Sequence, residues 1–351
     1  MTRTPPPLET TPFGTTPDGR HVRLFTIRNN QGLELKLSEY GATVTSLRVP
    51  DRDGRIENIT LGFSDFQSWL QNPCYFGATV GRYGNRIADG KFTLNETDYQ
   101  LANNNELHGF PSHLHGGIEG FDQKVWNGQP VIRPDATGVC FTYYSDDGEE
   151  GYPGNLTVKV TYWLTKSNEM EFRVEATTDA PTPINIINHT YWNLTGNPKQ
   201  DILGHELQLM ADAFLPTNPG LIPAGEEAPV TNTPMDFTRA ATIGERIEQD
   251  FEPLKIAGGY DHCWVIRDDH GKELRTAAIL HDPVSGRVMQ IVTDQPGLQF
   301  YAGNFLPDKR TALCLETQKF PDSPNQPQFP DCILKPGETY KHTCLFRFST
   351  R

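Results

Sequence analysis

Leu156-Thr157-Val158-Lys159-Val160-Thr161-Tyr162-Trp163-Leu164, followed by Met170-Glu171-Phe172-Arg173-Val174-Glu175-Ala176, decides the fold class. Leu156, Val158, Val160, Tyr162 and Leu164 fall on one side of an extended chain, and Met170, Phe172, Val174 and Ala176 repeat the pattern against Glu171, Arg173 and Glu175. Strict alternation predicts strands with one buried and one wet face, here an antiparallel pair turning through Lys166-Ser167-Asn168. Similar runs occupy 22–27, 33–38, 139–144, 205–210, 287–293 and 342–348. The 31 Gly and 28 Pro supply turns between them. Helical periodicity is confined to 65–71 and to 242–250, where Thr242 and Glu245 are spaced as a capping box. No linker, charge block or repeat of fixed period divides the chain. The expected architecture is all-β, a large antiparallel β-sandwich with a few short helices, forming one domain over 1–351 with an irregular segment at 1–12.

A chain of 351 residues with 36% hydrophobic and 21% charged residues has ordinary globular composition. Its formal charge of −13 makes nucleic acid or an anionic membrane an unsuitable partner and suits a neutral, hydroxyl-rich ligand. No apolar run reaches the ~20 residues of a membrane helix, and the N-terminus lacks the apolar core of a secretion signal. The six cysteines are scattered without C-x-x-C spacing, as expected of reduced thiols in a cytoplasmic protein.

Five stretches carry side chains suited to chemistry. Cys314-Leu315-Glu316-Thr317-Gln318-Lys319-Phe320-Pro321-Asp322 sets Glu316 at the end of an apolar strand, before a proline-rich loop. A carboxylate anchored there and reaching the surface suits a general base. Gly81-Arg82-Tyr83-Gly84-Asn85-Arg86-Ile87 has two arginines among glycines but neither P-loop nor G-x-G-x-x-G spacing. Between Asn103 and Gly117 lie His108, His113 and His115. His113 and His115, two apart on a strand, would share a face, and His113-x-His115-x-x-x-Glu119 is similar to the first half of a cupin metal site, although no second half follows. Asn188-His189-Thr190-Tyr191-Trp192-Asn193-Leu194 places an imidazole beside rings that can stack on a sugar. Asp261 and Gln299, the latter in Gly297-Leu298-Gln299-Phe300-Tyr301-Ala302-Gly303-Asn304, add hydrogen-bonding groups.

These stretches, in this order, resemble the aldose 1-epimerase (galactose mutarotase) family. The segment around Arg86 is similar to the family's G-R-x-x-N-R-I, with Gly84 where alanine is common. Leu114-His115-Gly116-Gly117, then Gly120-Phe121-Asp122 and Trp126, is similar to its L-H-G-G, G-F-D and tryptophan. Leu107-His108-Gly109 nearly duplicates that motif, so His108 rivals His115. The segments around His189, Gln299 and Glu316 are similar to N-H-x-x-[WF]-N-L, G-x-Q-[FVL]-Y-x-[GS]-N and the family's glutamate signature. Gly148–Gly154 also looks like a family loop near the sugar.

The resemblance, from about Phe13 to Phe348, implies the galactose mutarotase-like supersandwich and interconversion of the α and β anomers of free aldohexoses such as galactose and glucose. It implies Glu316 as base, His189 as acid, and Arg86, His115, Asp261 and Gln299 as substrate-binding residues, in a monomer or homodimer with neither cofactor nor metal. A glutamate near its ordinary ~4.3 is ionised at neutral pH, and a histidine near ~6.5 can hold or give a proton there. The alternatives are a hexose-6-phosphate mutarotase and a non-catalytic sugar-binding protein on the same fold.

Overall fold

The structure, a computed structural model, describes residues 6–268 and 273–351. Three antiparallel sheets carry the fold among these residues. A five-stranded meander runs from Leu8–Thr15 through His21–Arg28, Glu34–Ser38 and Thr43–Pro50 to Ile56–Asn58. A nine-stranded sheet has Leu156–Thr165 paired with Glu169–Thr178 near one end and Tyr340–Thr350 at its middle. A six-stranded sheet orders Tyr191–Trp192, Leu313–Gln318, Gly297–Tyr301, Asp261–Ile266, Ala211–Phe214 and Ala228–Pro229.

The alternation read at 156–176 is realised directly: Leu156, Val158, Val160, Tyr162 and Leu164 all join one buried cluster. Inward side chains of the three sheets meet there. Phe25 of the meander packs edge-on to Phe141 of the large sheet, and Trp192 of the six-stranded sheet packs on Phe346. Burying one such ring contributes roughly 1.5–3 kcal/mol, so inward faces of all three sheets are committed to this interior. The polar residues of the six-stranded sheet are thereby left to its other face.

The expectation of an all-β antiparallel fold with few short helices holds. Phe66–Leu70 is helical as expected, with the Asp65 carboxylate accepting the Ser68 N–H at 3.0 Å and Phe66 and Trp69 buried. Two expectations are corrected. Residues 8–12 are not irregular but belong to the first strand, paired with Arg23–Ile27. Thr242 does not cap a helix: Ala241–Thr242 is claimed by the sheet ladder opposite Glu206–Leu207, only a single 3₁₀ turn follows, and Thr242 makes no capping bond. The second α-helix is instead Glu252–Ala257, with proline in its first turn and Gly258 closing it at φ 65°.

One turn matters to the site. After strand Phe110–Leu114 the chain reverses through His115 and Gly116, both at positive φ. A Cβ on Gly116 would stand 1.8 Å from the Gly81 carbonyl oxygen, a backbone atom that cannot swing aside, at φ +91°. Gly116→Ala is expected to lose about 2–4 kcal/mol of stability, measured by chemical denaturation.

Candidate active site

The outer face of the six-stranded sheet is the floor of the site. Across three strands, Cys263, Gln299 and Glu316 lie in register, with Asp261 two residues before Cys263 on the same face. Leu298, Phe300, Leu313 and Leu315 point the other way into the core. Period two therefore sorts polar from apolar without any special turn. Gln299 Nε2 donates to Asp261 Oδ1 at 2.7 Å, which orients both side chains along the floor.

The remaining groups descend from the opposite wall. His189 sits between Ile187–Asn188 and Tyr191–Trp192, its backbone bonded to Gly77 and Ala78. Arg86 opens a short strand whose partner is Leu114, one residue before His115. His189 Nε2 lies 3.8 Å from Glu316 Oε1, and the rings of His115 and His189 are 4.8 Å apart, nearly perpendicular. All six residues expected at the site, Arg86, His115, His189, Asp261, Gln299 and Glu316, line one cavity of about 320 Å³. That is the small end of the range for small-molecule sites. Glu316 Oε2 and Arg86 Nε are buried there without a partner among the described residues, as groups awaiting a polar ligand would be.

Glu316 does not reach the surface as expected. It lies within strand Leu313–Gln318 and is 3% exposed, because the wall carrying Arg86 and His189 covers the sheet. Burial, and secondarily the Asp261 carboxyl, push its carboxyl well above the ordinary range, while Arg86 pulls it back. Burial lowers His189 to about 4 and holds His115 well below an ordinary imidazole. Burial likewise raises Asp261, opposed by Arg86 and Gln299. The direction of these shifts, which the sequence leaves open, is thus set by desolvation, which favours the neutral form of both groups.

The histidine rivalry resolves by position. His108 is exposed at the tip of the hairpin formed by Asn105–Leu107 and Phe110–Leu114, whereas His115 lines the cavity. The His113–His115–Glu119 metal reading fails because His115 leaves the strand at φ 52°, so the two imidazoles no longer share a face. His113 Nδ1 instead bonds the Ala102 carbonyl at 2.8 Å, and Glu119 is exposed.

His115, His189 and Glu316 do place ligand-capable atoms within 4.8 Å of one another. However, His115 Nδ1 accepts the Asn85 N–H at 3.2 Å, which puts the proton of the neutral ring on Nε2. A protonated nitrogen donates hydrogen bonds and does not ligate, so the trio suits hydroxyls better than an ion.

Arg82, the other arginine of its segment, is structural: Nη1 donates to the carbonyls of Pro153 and Gly154 at 2.8 and 2.9 Å. Loop 148–154 stands away from the cavity, and its Glu150 carboxylate holds the Ile118 and Glu119 N–H groups at 3.0 and 2.9 Å. It braces the turn that follows His115.

Nearby, Asp122 is buried and its carboxyl is raised to about 7, chiefly by desolvation. A raised acid stabilises the fold fully below its unfolded value of ~3.9 and loses that contribution as pH climbs to about 7. Asp122→Asn lacks this titration. Its stability relative to the parent, followed by denaturation, is expected to improve as pH rises through that window and then level off.

Sequence reasoning missed Pro73, Cys74 and Tyr75, Asn105 and Leu107, and Phe305, all of which line the cavity. None of them lies in a position that its neighbours along the chain mark as part of a site, so only proximity in space reveals them.

Comparison with known proteins gives the family. The family model for aldose 1-epimerase matches residues 23–347. A galactose mutarotase of Rattus norvegicus is 41% identical over 97% of this chain and 98% of that protein. An aldose 1-epimerase of Escherichia coli (strain K12) is 36% identical over 95% and 96%. The crystal structure of galactose 1-epimerase from Lactobacillus acidophilus NCFM superposes with a TM-score of 0.86 at 27% identity, covering 98% of this chain and 99% of that one. A family match over most of the chain and full-length relatives at 36–41% identity show that the chain belongs to the aldose 1-epimerase family.

Proposed function

We propose that the cavity opens and recloses the ring of free aldohexoses, galactose and glucose among them, with Glu316 as base and His189 as acid. Interconversion of aldose anomers is the activity of an isomerase in this family. The observation that carries the proposal is the 3.8 Å approach of His189 Nε2 to Glu316 Oε1 above a floor of oriented hydroxyl-binding groups.

Ionised Glu316 takes the proton of the C1 hydroxyl, the C1–O1 bond becomes the aldehyde carbonyl, and the C1–O5 bond breaks as O5 receives a proton from the His189 imidazolium. Rotation about C1–C2 presents the other face of the aldehyde. The reverse transfers then close the ring on the opposite anomer. The carboxylate–imidazolium pair is the minority form of the buried site, and ring opening converts it into the neutral pair that burial of both groups favours. Arg86 works in the other direction, keeping the carboxylate accessible. Burial, by raising the proton affinity of Glu316, strengthens it as a base. Asp261, Gln299 and Arg86 hold the remaining hydroxyls, and His115 donates from Nε2. Tyr191, stacked on His189 with centroids 5.2 Å apart, supplies apolar surface.

A free sugar fits better than its 6-phosphate, because Arg86 is the only arginine or lysine among the described residues lining the cavity and a dianion would need more. Six free cysteines, four of them buried, suit a reducing compartment, consistent with a cytoplasmic enzyme. No helix among the described residues is long and apolar enough to cross a membrane. Polarimetry on freshly dissolved α-galactose, α-glucose and the two 6-phosphates tests the proposal. Accelerated decay of rotation is expected for the free sugars. No acceleration, or acceleration confined to the phosphates, would overturn it.

A further inference from the structure

Tyr75 has a backbone that a large aromatic residue rarely adopts, with φ at 59°. Such conformations cost on the order of 1–3 kcal/mol and persist where surrounding contacts impose them. Here Asn72 imposes it. Its Oδ1 accepts the Phe76 N–H at 2.8 Å, its Nδ2 donates to the Phe76 carbonyl at 3.0 Å, and its own carbonyl accepts the Tyr75 N–H at 3.3 Å. Gly77 follows at φ 64°, pressed so close to the Val44 carbonyl that a Cβ would stand 2.0 Å from its oxygen.

This clamp aims the Tyr75 ring at the two imidazoles. Ring centroids are 4.8 Å from His115 and 5.7 Å from His189, and Tyr75 is the one aromatic side chain among the described residues packed on both. The same residue lines a second cavity of about 140 Å³, whose walls include Asp122, Asn72 and Gln71. Its ring therefore stands between that polar cavity and the histidines.

We infer that Tyr75 is a positioning residue for the anomerisation chemistry: its clamped ring seats His115 and His189 and screens both from the polar cavity behind. The inference rests on the proposed roles of those histidines, but the seating itself can be read without any assay. Other groups also face them. His189 meets Glu316, the Cys314 thiol at 3.6 Å from Nδ1, and Tyr191. His115 meets the Asn85 N–H, with the charge of Arg86 nearby. None of these lines the second cavity, as Tyr75 does.

Two variants separate positioning from mere structure. Tyr75→Phe keeps the ring. Tyr75→Gly removes it while relieving the left-handed strain, so the fold survives. Imidazole titration is followed by NMR in the sugar-free protein, and kcat and KM by polarimetry.

Tyr75→Phe is expected to match the parent in both. In Tyr75→Gly, His189 should titrate upward from about 4 toward ~6.5. Its kcat should fall on the order of ten- to a hundredfold, as misplaced catalytic groups do, with KM little changed. Unchanged titration in Tyr75→Gly overturns the inference whatever happens to kcat, and so does shifted titration with parental kcat. If the parent itself lacks anomerase activity while the titrations behave as stated, the proposed roles fail and the seating stands.

Discussion

Glu316→Gln is expected to abolish most turnover while leaving the sugar bound. The amide matches the carboxylate in size, so the floor of the cavity keeps its shape, and Arg86, Asp261 and Gln299 keep their hydroxyl contacts. What disappears is the acceptor for the C1 hydroxyl proton. A positioned base contributes ~10²–10⁴-fold, and a loss in that range is expected in kcat with affinity nearly unchanged. Folding should not suffer, since a neutral amide replaces a carboxyl that burial already drives toward its neutral form. Polarimetry gives the rate and isothermal calorimetry with galactose the affinity. A parental rate would remove Glu316 from the chemistry.

His189→Asn is expected to cost a similar factor, ~10²–10⁴ in kcat, because the shorter amide cannot carry a proton to the ring oxygen. The imidazole is buried between Tyr75 and Tyr191, so the variant leaves space that water can enter, and some weakening of affinity accompanies the loss. The two outcomes are distinguishable in the kinetics. A large fall in kcat with a modest rise in KM identifies the acid. Lost affinity at parental kcat would instead make His189 a structural histidine.

Both variants probe a pair that was partly legible in the chain. Glu316 and His189 stood out because each ends or follows an apolar strand and falls within a segment similar to a family motif. The hydrogen-bonded pair of Gln299 and Asp261 was legible as two separate residues, and the register of their strands brought them together on one face. The choice between His108 and His115 was not legible, since both sit in near-identical tripeptides. It took the hairpin that carries His108 to an exposed tip to separate them. The helix expected at 242–250 failed because the strand ladder opposite Glu206 outcompeted a local capping pattern.

Local pattern determined what needs only neighbours along the chain: the antiparallel all-β class, several of the longer strands of the nine-stranded sheet and the meander, the helix at Phe66–Leu70 and the residue types able to move a proton. Tertiary structure alone decided how far each site residue is taken from water, and so which way Glu316 and His189 shift. It alone brought Tyr75 against both imidazoles. The physical reason is that desolvation and ring packing depend on what the other sheet faces and loops place overhead, across separations of over a hundred residues, and no periodicity in a single strand records that.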